Sequence, residues 1–212
     1  MGLVLGEVLM TGWQQHVKKW TGCQRCELAK GRQRVVLARG RLPAQILFVG
    51  EAPGQSEDVL GTPFVGPAGQ LLDWIISRAL STWQVPGTEG PDYNSVTYAV
   101  TNLVGCLPRS DDGSKAAEPP HDTVMACAPR LQELVALCQP RLIVRVGKLA
   151  ADYLDQNYRY SVRLPDPVPP MVDVTHPAAI IRMPYAARGL ARQRCVVVIR
   201  NAVEEFCGLD KV

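Results

Sequence analysis

No apolar run in this chain approaches the ~20 residues of a membrane-spanning helix. The first residues, MGLVLGEVLMTGW, are apolar, but no basic residue precedes the apolar stretch and Glu7 interrupts it early, so a secretory leader is not expected. The phosphate-cradling G-x-x-x-x-G-K-[ST] and the dinucleotide fingerprint G-x-G-x-x-G are absent. So are the G-x-S-x-G nucleophile elbow and the H-x-E of zinc deaminases. These gaps exclude a P-loop nucleotidase, a standard dinucleotide fold, a serine hydrolase of the elbow type and a deaminase built on Cys23 and Cys26. With 47% hydrophobic and 20% charged residues, the composition is that of a globular protein and excludes disorder, collagen and coiled coil. There is no internal repeat and no long linker, and 212 residues fit one compact domain over 1–212.

Seven cysteines are an odd number in a chain without an export signal. That combination predicts a reducing cytoplasmic setting, with the cysteines as thiols or metal ligands rather than a disulfide frame. The net charge of +3 conceals an uneven distribution. His16–Arg41 carries eight Lys and Arg against Glu27 alone, and His176–Arg200 carries five Arg and no acid. Two basic segments on a nearly neutral chain fit a polyanion partner, and arginine suits bidentate phosphate contact. Solvated surface faces are the plainer reading of the same charges.

Periodicity alternates along the chain. Short apolar runs at Ile46–Gly50, Val96–Thr101, Leu142–Val146 and Met171–Val174 read as buried strands. Helical patterns fall at Trp13–Trp20, Pro67–Leu80, Pro120–Cys138, Gly147–Gln156 and Tyr185–Phe206. Pro67 and Pro120 suit helix starts. The CVVVI run inside the last segment has strand propensity and competes with its helical reading. Strands alternating with helices predict an α/β domain: a central four-stranded, mostly parallel sheet flanked by helices. In such sheets ligands bind beyond the carboxyl ends of the strands.

Those ends carry the chemistry. The first strand runs into GEAPGQSEDVLGTPFVGPAG, Gly50–Gly69, where glycines and prolines surround Glu51, Glu57, Asp58 and the aromatic Phe64. Backbone can approach a ligand closely there, and Phe64 offers a stacking face. The second strand ends in Asn102, whose amide can give one donor and one acceptor to a planar ring edge. The fourth ends in Thr175–His176–Pro177, where a histidine can donate to a developing anion. A buried phenylalanine, a loop-capping asparagine and a structural histidine are the alternatives for each residue alone.

Cys23 and Cys26 form a C-x-x-C within the first basic segment, and Cys106 and Cys127 lie singly further on. Four thiolates suit zinc or an iron–sulfur cluster, which the residues do not distinguish. Cys138, Cys195 and Cys207 sit among apolar residues and read as buried free thiols.

The segment GEAPGQSEDVLGTPFVGPAGQLLD, with TN-x-x-x-C and THPAAIIR, resembles the family-4, iron–sulfur uracil-DNA glycosylases over roughly residues 12–207. The resemblance implies a [4Fe–4S] cluster on Cys23, Cys26, Cys106 and Cys127, and excision of uracil from DNA. It implies that Phe64 stacks on a flipped base, Asn102 reads the uracil edge and His176 lies beside uracil O2. Glu51 stands in the first motif, and Glu57 resembles the carboxylate that orders active-site water. Ile180–Met183 fall where a wedge enters the duplex. The chain departs from the pattern at Pro67, where the family usually has Arg, and in a longer Cys106–Cys127 loop containing Asp111 and Asp112. Ala52 stands where other branches of the superfamily have a catalytic Asp, as family 4 does.

The expected mechanism follows. Basic residues including Arg32, Arg34 and Arg182 hold the phosphate backbone. Uracil is rotated out of the stack and Ile180 or Ile181 fills the gap. Asn102 pairs with O4 and N3–H, and His176 with backbone N–H groups of the Gly50–Gly54 loop stabilises the leaving uracil anion. Glu51 or Glu57 positions water, and the cluster is structural. The expected assembly is a monomer acting on uracil-containing DNA away from membranes. A sibling glycosylase for hypoxanthine or an oxidised pyrimidine is one alternative. A non-catalytic iron–sulfur DNA-binding or redox module is the other.

Overall fold

The structure is a computed structural model and describes residues 11–81, 93–110, 116–157 and 161–208. Its elements in chain order are α1 (Gly12–Thr21), β1 (Ala38–Gly40), β2 (Ile46–Gly50), α2 (Gln55–Leu60), α3 (Pro67–Ala79), β3 (Tyr98–Asn102), α4 (His121–Cys138), β4 (Leu142–Val146), α5 (Lys148–Leu154), β5 (Met171–Val174), α6 (Pro177–Arg182) and α7 (Tyr185–Phe206). They form one α/β sheet in the order β1-β3-β2-β4-β5. β3, β2, β4 and β5 run parallel, and β1 adds an antiparallel edge along β3.

The sheet has five strands where four were expected. β1, sequence ARG, has no apolar run to announce it and exists through pairing of Ala38–Gly40 with Ala99–Thr101. β3 starts at Tyr98 rather than Val96, because Tyr93–Ser95 forms a 3₁₀ turn. Strands buried on both faces read as continuous apolar runs, and ILFVG is fully buried. Ile46 and Phe48 join the core under α3 and α7, with Ile76 and Ile199. Leu47 and Val49 join the opposite core under α4 and α5, with Leu131 and Leu154. That alternation is the two-residue period of a strand. The CVVVI run stays helical because Cys195, Val196, Ile199, Ala202 and Val203 recur at helical spacing and are all buried.

Parallel order places the ends of β2, β3, β4 and β5 on one side of the sheet. Gly50 pairs with Asn102 at the last register of β2 and β3, so these two residues begin the site side by side.

Candidate active site

Beyond the strand ends lies a cavity of about 370 Å³ lined by Glu51, Gly54, Glu57, Phe64, Asn102 and His176, among others. The segments that the sequence singled out after β2, β3 and β5 therefore meet. Asn102 is 2% exposed, and its Oδ1 has no hydrogen-bond partner among the described residues. A buried acceptor left open is costly, so a vacant one on a cavity wall invites a donor. Phe64 sits at φ 55°, a left-handed conformation rare for a bulky side chain and associated with functional sites. Its ring lies 6.1 Å from the His176 ring, centroid to centroid. Gly50 makes this crowding possible. A Cβ there would stand 2.4 Å from Phe64 Cζ and 2.5 Å from Asn102 Oδ1.

His176 caps α6, and its Nδ1 accepts from the Ala178 N–H at 3.2 Å. Burial first, and then the Arg182 charge, push its pKa down to about 4. The ring is therefore neutral at physiological pH, with Nδ1 as acceptor and the proton on Nε2. It presents an uncharged N–H donor. Gly147, at φ 96° after β4, seats it: a Cβ at that position would fall 2.8 Å from His176 Cβ. The sequence directed attention to Gly147 onward without selecting this residue.

The two glutamates divide. Glu57 Oε1 accepts from the backbone N–H of Val65 (3.0 Å) and Gly66 (2.9 Å), and Oε2 from that of Gly54 (3.1 Å). It is a brace that joins α2 to the loop carrying Phe64. Gly54 thus donates its amide to Glu57, not to the open cavity. Glu51 makes no side-chain hydrogen bond among the described residues, and burial, with a smaller push from Glu118, raises its pKa. Between the two, Glu51 is the cavity-lining carboxylate that no described group engages. Asp58, unassigned from sequence, is fully buried; it accepts from the backbone of Gln33 and pairs with Arg109 at 3.2 Å, tying the first basic segment to α2.

Ile180 is 1% exposed and belongs to the α3–α7 core, so it cannot serve as a surface wedge, whereas Ile181 is 37% exposed. Arg32 is half-buried and donates to the Cys23 carbonyl at 2.6 Å, while Arg34 and Arg182 are exposed. The breaker-rich Pro108–Pro120 stretch is exposed at Ala116, Glu118 and Pro120 but not throughout. Pro108 is buried, Arg109 bridges to Ala116, and Ala116 and Ala117 reach the cavity wall. Asp111 and Asp112 lie outside the described residues.

Cys23, Cys26, Cys106 and Cys127 line one small pocket of their own, between Arg32 and Arg130. Burial pushes the Cys106 thiol up to about 11, the nearby Arg32 opposes that, and the other three cysteines reinforce it. Among the described residues no three His, Cys, Asp or Glu side chains gather as they do around a single metal ion. Cys138, Cys195 and Cys207 are buried elsewhere, in the two cores.

Residues 38–200 match the family model of the uracil DNA glycosylase superfamily. A type-4 uracil-DNA glycosylase of Pyrobaculum aerophilum is 30% identical over 202 residues, covering 89% of this chain and 94% of the relative. One of Saccharolobus solfataricus is 36% identical over 132 residues, 62% of this chain and 54% of the relative. One of Thermotoga maritima is 31% identical, covering 74% and 71%. Against the Saccharolobus and Sulfurisphaera relatives the match spans about half of the relative's length. Among solved structures, wild-type Pedobacter heparinus SMUG2 superposes with a TM-score of 0.51 at 12% identity, over 76% of each chain. That likeness concerns the fold. With a superfamily model matched across most of the sheet and a relative aligned nearly end to end, the chain belongs to the uracil-DNA glycosylase superfamily, in its type-4 branch.

Proposed function

We propose that the protein removes uracil from DNA by hydrolysing its N-glycosidic bond, leaving an abasic site. The observation that carries this reading is the buried Oδ1 of Asn102, without a partner among the described residues, on a side chain that lines one cavity with Phe64 and His176. Uracil offers an N3–H to that oxygen and an O4 to the amide NH₂. Cytosine offers an acceptor and a donor in the opposite places and mismatches both.

The flipped uracil stacks on Phe64. As the glycosidic bond lengthens, negative charge develops on the base, and the neutral His176 Nε2–H donates to it at O2. A neutral donor suits a site that binds a neutral base and strengthens its hold only as charge appears. Glu51 positions the water that captures the sugar cation, while Glu57 keeps the Gly54 and Val65–Gly66 backbone in place. Arg182 and Arg34 contact phosphates, and Ile181 occupies the vacated stack.

Cys23, Cys26, Cys106 and Cys127 would hold a [4Fe–4S] cluster. An all-thiol donor set suits it, and the guanidinium groups of Arg32 and Arg130 offset the charge of four thiolates. When bound, the cluster cross-links the N-terminal basic segment to the end of β3 and to α4. We read the chain as one domain acting as a monomer in the cytoplasm. No described helix is long and apolar enough to cross a membrane.

The test is incubation with single- and double-stranded oligonucleotides carrying one uracil, hypoxanthine or oxidised pyrimidine, followed by alkali. Uracil-dependent strand scission and free uracil are expected. A mobility shift without base release would instead make the protein a damage-binding module.

A further inference from the structure

Arg130 is a buried cation that no described acid pairs. It lies in α4 at 1% exposure, and among the described residues no carboxylate forms an ion pair with it. Glu133, three residues on, is occupied by His16 and Lys19. A guanidinium stays protonated in proteins, and a buried charge needs compensation from somewhere.

Its hydrogen bonds go to two places. Nε donates to Cys127 Sγ at 3.3 Å. Nη1 donates to Thr101 Oγ1 at 3.2 Å, and Nη2 to the carbonyls of Asn102 and Leu103, the latter at 3.1 Å. One planar fork thus spans from a cysteine of the four-thiol pocket to three consecutive residues at the end of β3. The middle one carries the open amide. Among the described residues the Oδ1 of Asn102 has no partner to aim it, so the direction of that side chain depends on its own backbone and on the packing of Gly50 and Phe64.

We propose that Arg130 is a positioning residue that couples the four-cysteine pocket to base reading: the thiolate set holds the guanidinium, and the guanidinium holds the carbonyls that aim Asn102. This rests on the function and metal ligands proposed above. It goes beyond them by giving the cysteine pocket a route into the specificity of the cavity. Lysine cannot replace the fork, because an ammonium is a compact point charge and cannot reach Cys127 and the acceptors of Thr101, Asn102 and Leu103 together.

The test uses metal-loaded protein with Arg130→Met and Arg130→Lys. Two readouts are taken that do not depend on turnover: the rate of iron loss to a chelator, followed by visible absorbance, and the affinity for free uracil by calorimetry. Arg130→Met is expected to lose iron about 10-fold faster or more, the usual scale for partners of metal ligands, and to bind uracil about 10-fold more weakly. Arg130→Lys keeps the charge but not the fork, so iron loss should stay within about threefold of the parent while uracil affinity still falls about 10-fold. Parent-like uracil affinity in Arg130→Lys overturns the proposal, and so does a loss of uracil affinity in Arg130→Met with parent-like iron retention. If Arg130→Met fails to fold, Arg130→Lys decides alone. A loaded parent that holds iron but neither binds nor excises uracil would fail the function itself, a result distinct from failure of the link.

Discussion

Gly50→Ala is the smallest change that should disable the cavity while leaving the sheet intact. The added methyl would lie 2.4 Å from Phe64 Cζ and 2.5 Å from Asn102 Oδ1. Ordinary contact begins near 3.4 Å, so the stacking ring and the reading oxygen must each retreat by about 1 Å. Neither has room. Phe64 already occupies a left-handed backbone conformation, and the amides of the next two residues, Val65 and Gly66, are held by Glu57. Asn102 is fixed by sheet pairing and by Arg130. A displacement of ~1 Å in a positioning group costs on the order of 100-fold in rate. The assay is single-turnover release of uracil from a saturated oligonucleotide, with circular dichroism to check the fold. Gly189→Ala, where a Cβ meets nothing within 4 Å, is the control and should match the parent. Activity of Gly50→Ala within threefold of the parent would refute the packing argument.

His176→Ala should slow uracil release by ~10²–10³, the usual loss on removing one donor to a developing anion. Because the ring is neutral until about pH 4, kcat/KM of the parent should show no imidazole inflection near pH 6.5. The same lowered pKa means that the unfolded chain binds a proton that the folded one refuses. Stability should therefore fall as pH drops from about 6.5 to about 4, by on the order of 2–3 kcal/mol, and this part of the loss should vanish in His176→Ala. Equal pH slopes in the two proteins, measured by chemical denaturation, would contradict it. Serine at Cys23, Cys26, Cys106 or Cys127 should lower iron content and visible absorbance, whereas serine at Cys138, Cys195 or Cys207 should not. Stoichiometric zinc without iron in anaerobically purified protein would overturn the cluster assignment.

The strands β2, β4 and β5 and the helix α7 were legible to the residue: burial on both faces makes β2 and β4 largely apolar, the edge strand β5 keeps three apolar residues around the exposed Asp173, and a helix writes its period. β1 was not, since three residues reading ARG gain strand geometry only from the neighbour they pair with. α2 was hidden in a glycine-rich stretch, although Glu57, three residues after Gly54, was a readable capping signal. The site residues at the strand ends were visible because topology tells where to look. What Glu57 does was not, as two of its three donors lie eight and nine residues onward. The crowding behind Gly50 and Gly147 depends on side chains brought from other strands. Arg130 left one trace, its i,i+3 spacing from Cys127, which puts both on one helical face.

The most direct measurement compares the parent and Asn102→Asp on matched oligonucleotides bearing either uracil or cytosine at one position. The substitution removes the NH₂ that faces O4. If Asn102 reads the base, the parent releases uracil and leaves cytosine untouched. The variant then loses most uracil release, and its ratio of cytosine to uracil release rises, since each mismatched buried polar pair costs about 1–3 kcal/mol. Asn102→Asp that releases uracil at the parent rate, with cytosine still excluded, would contradict the assignment of this cavity as the uracil reader.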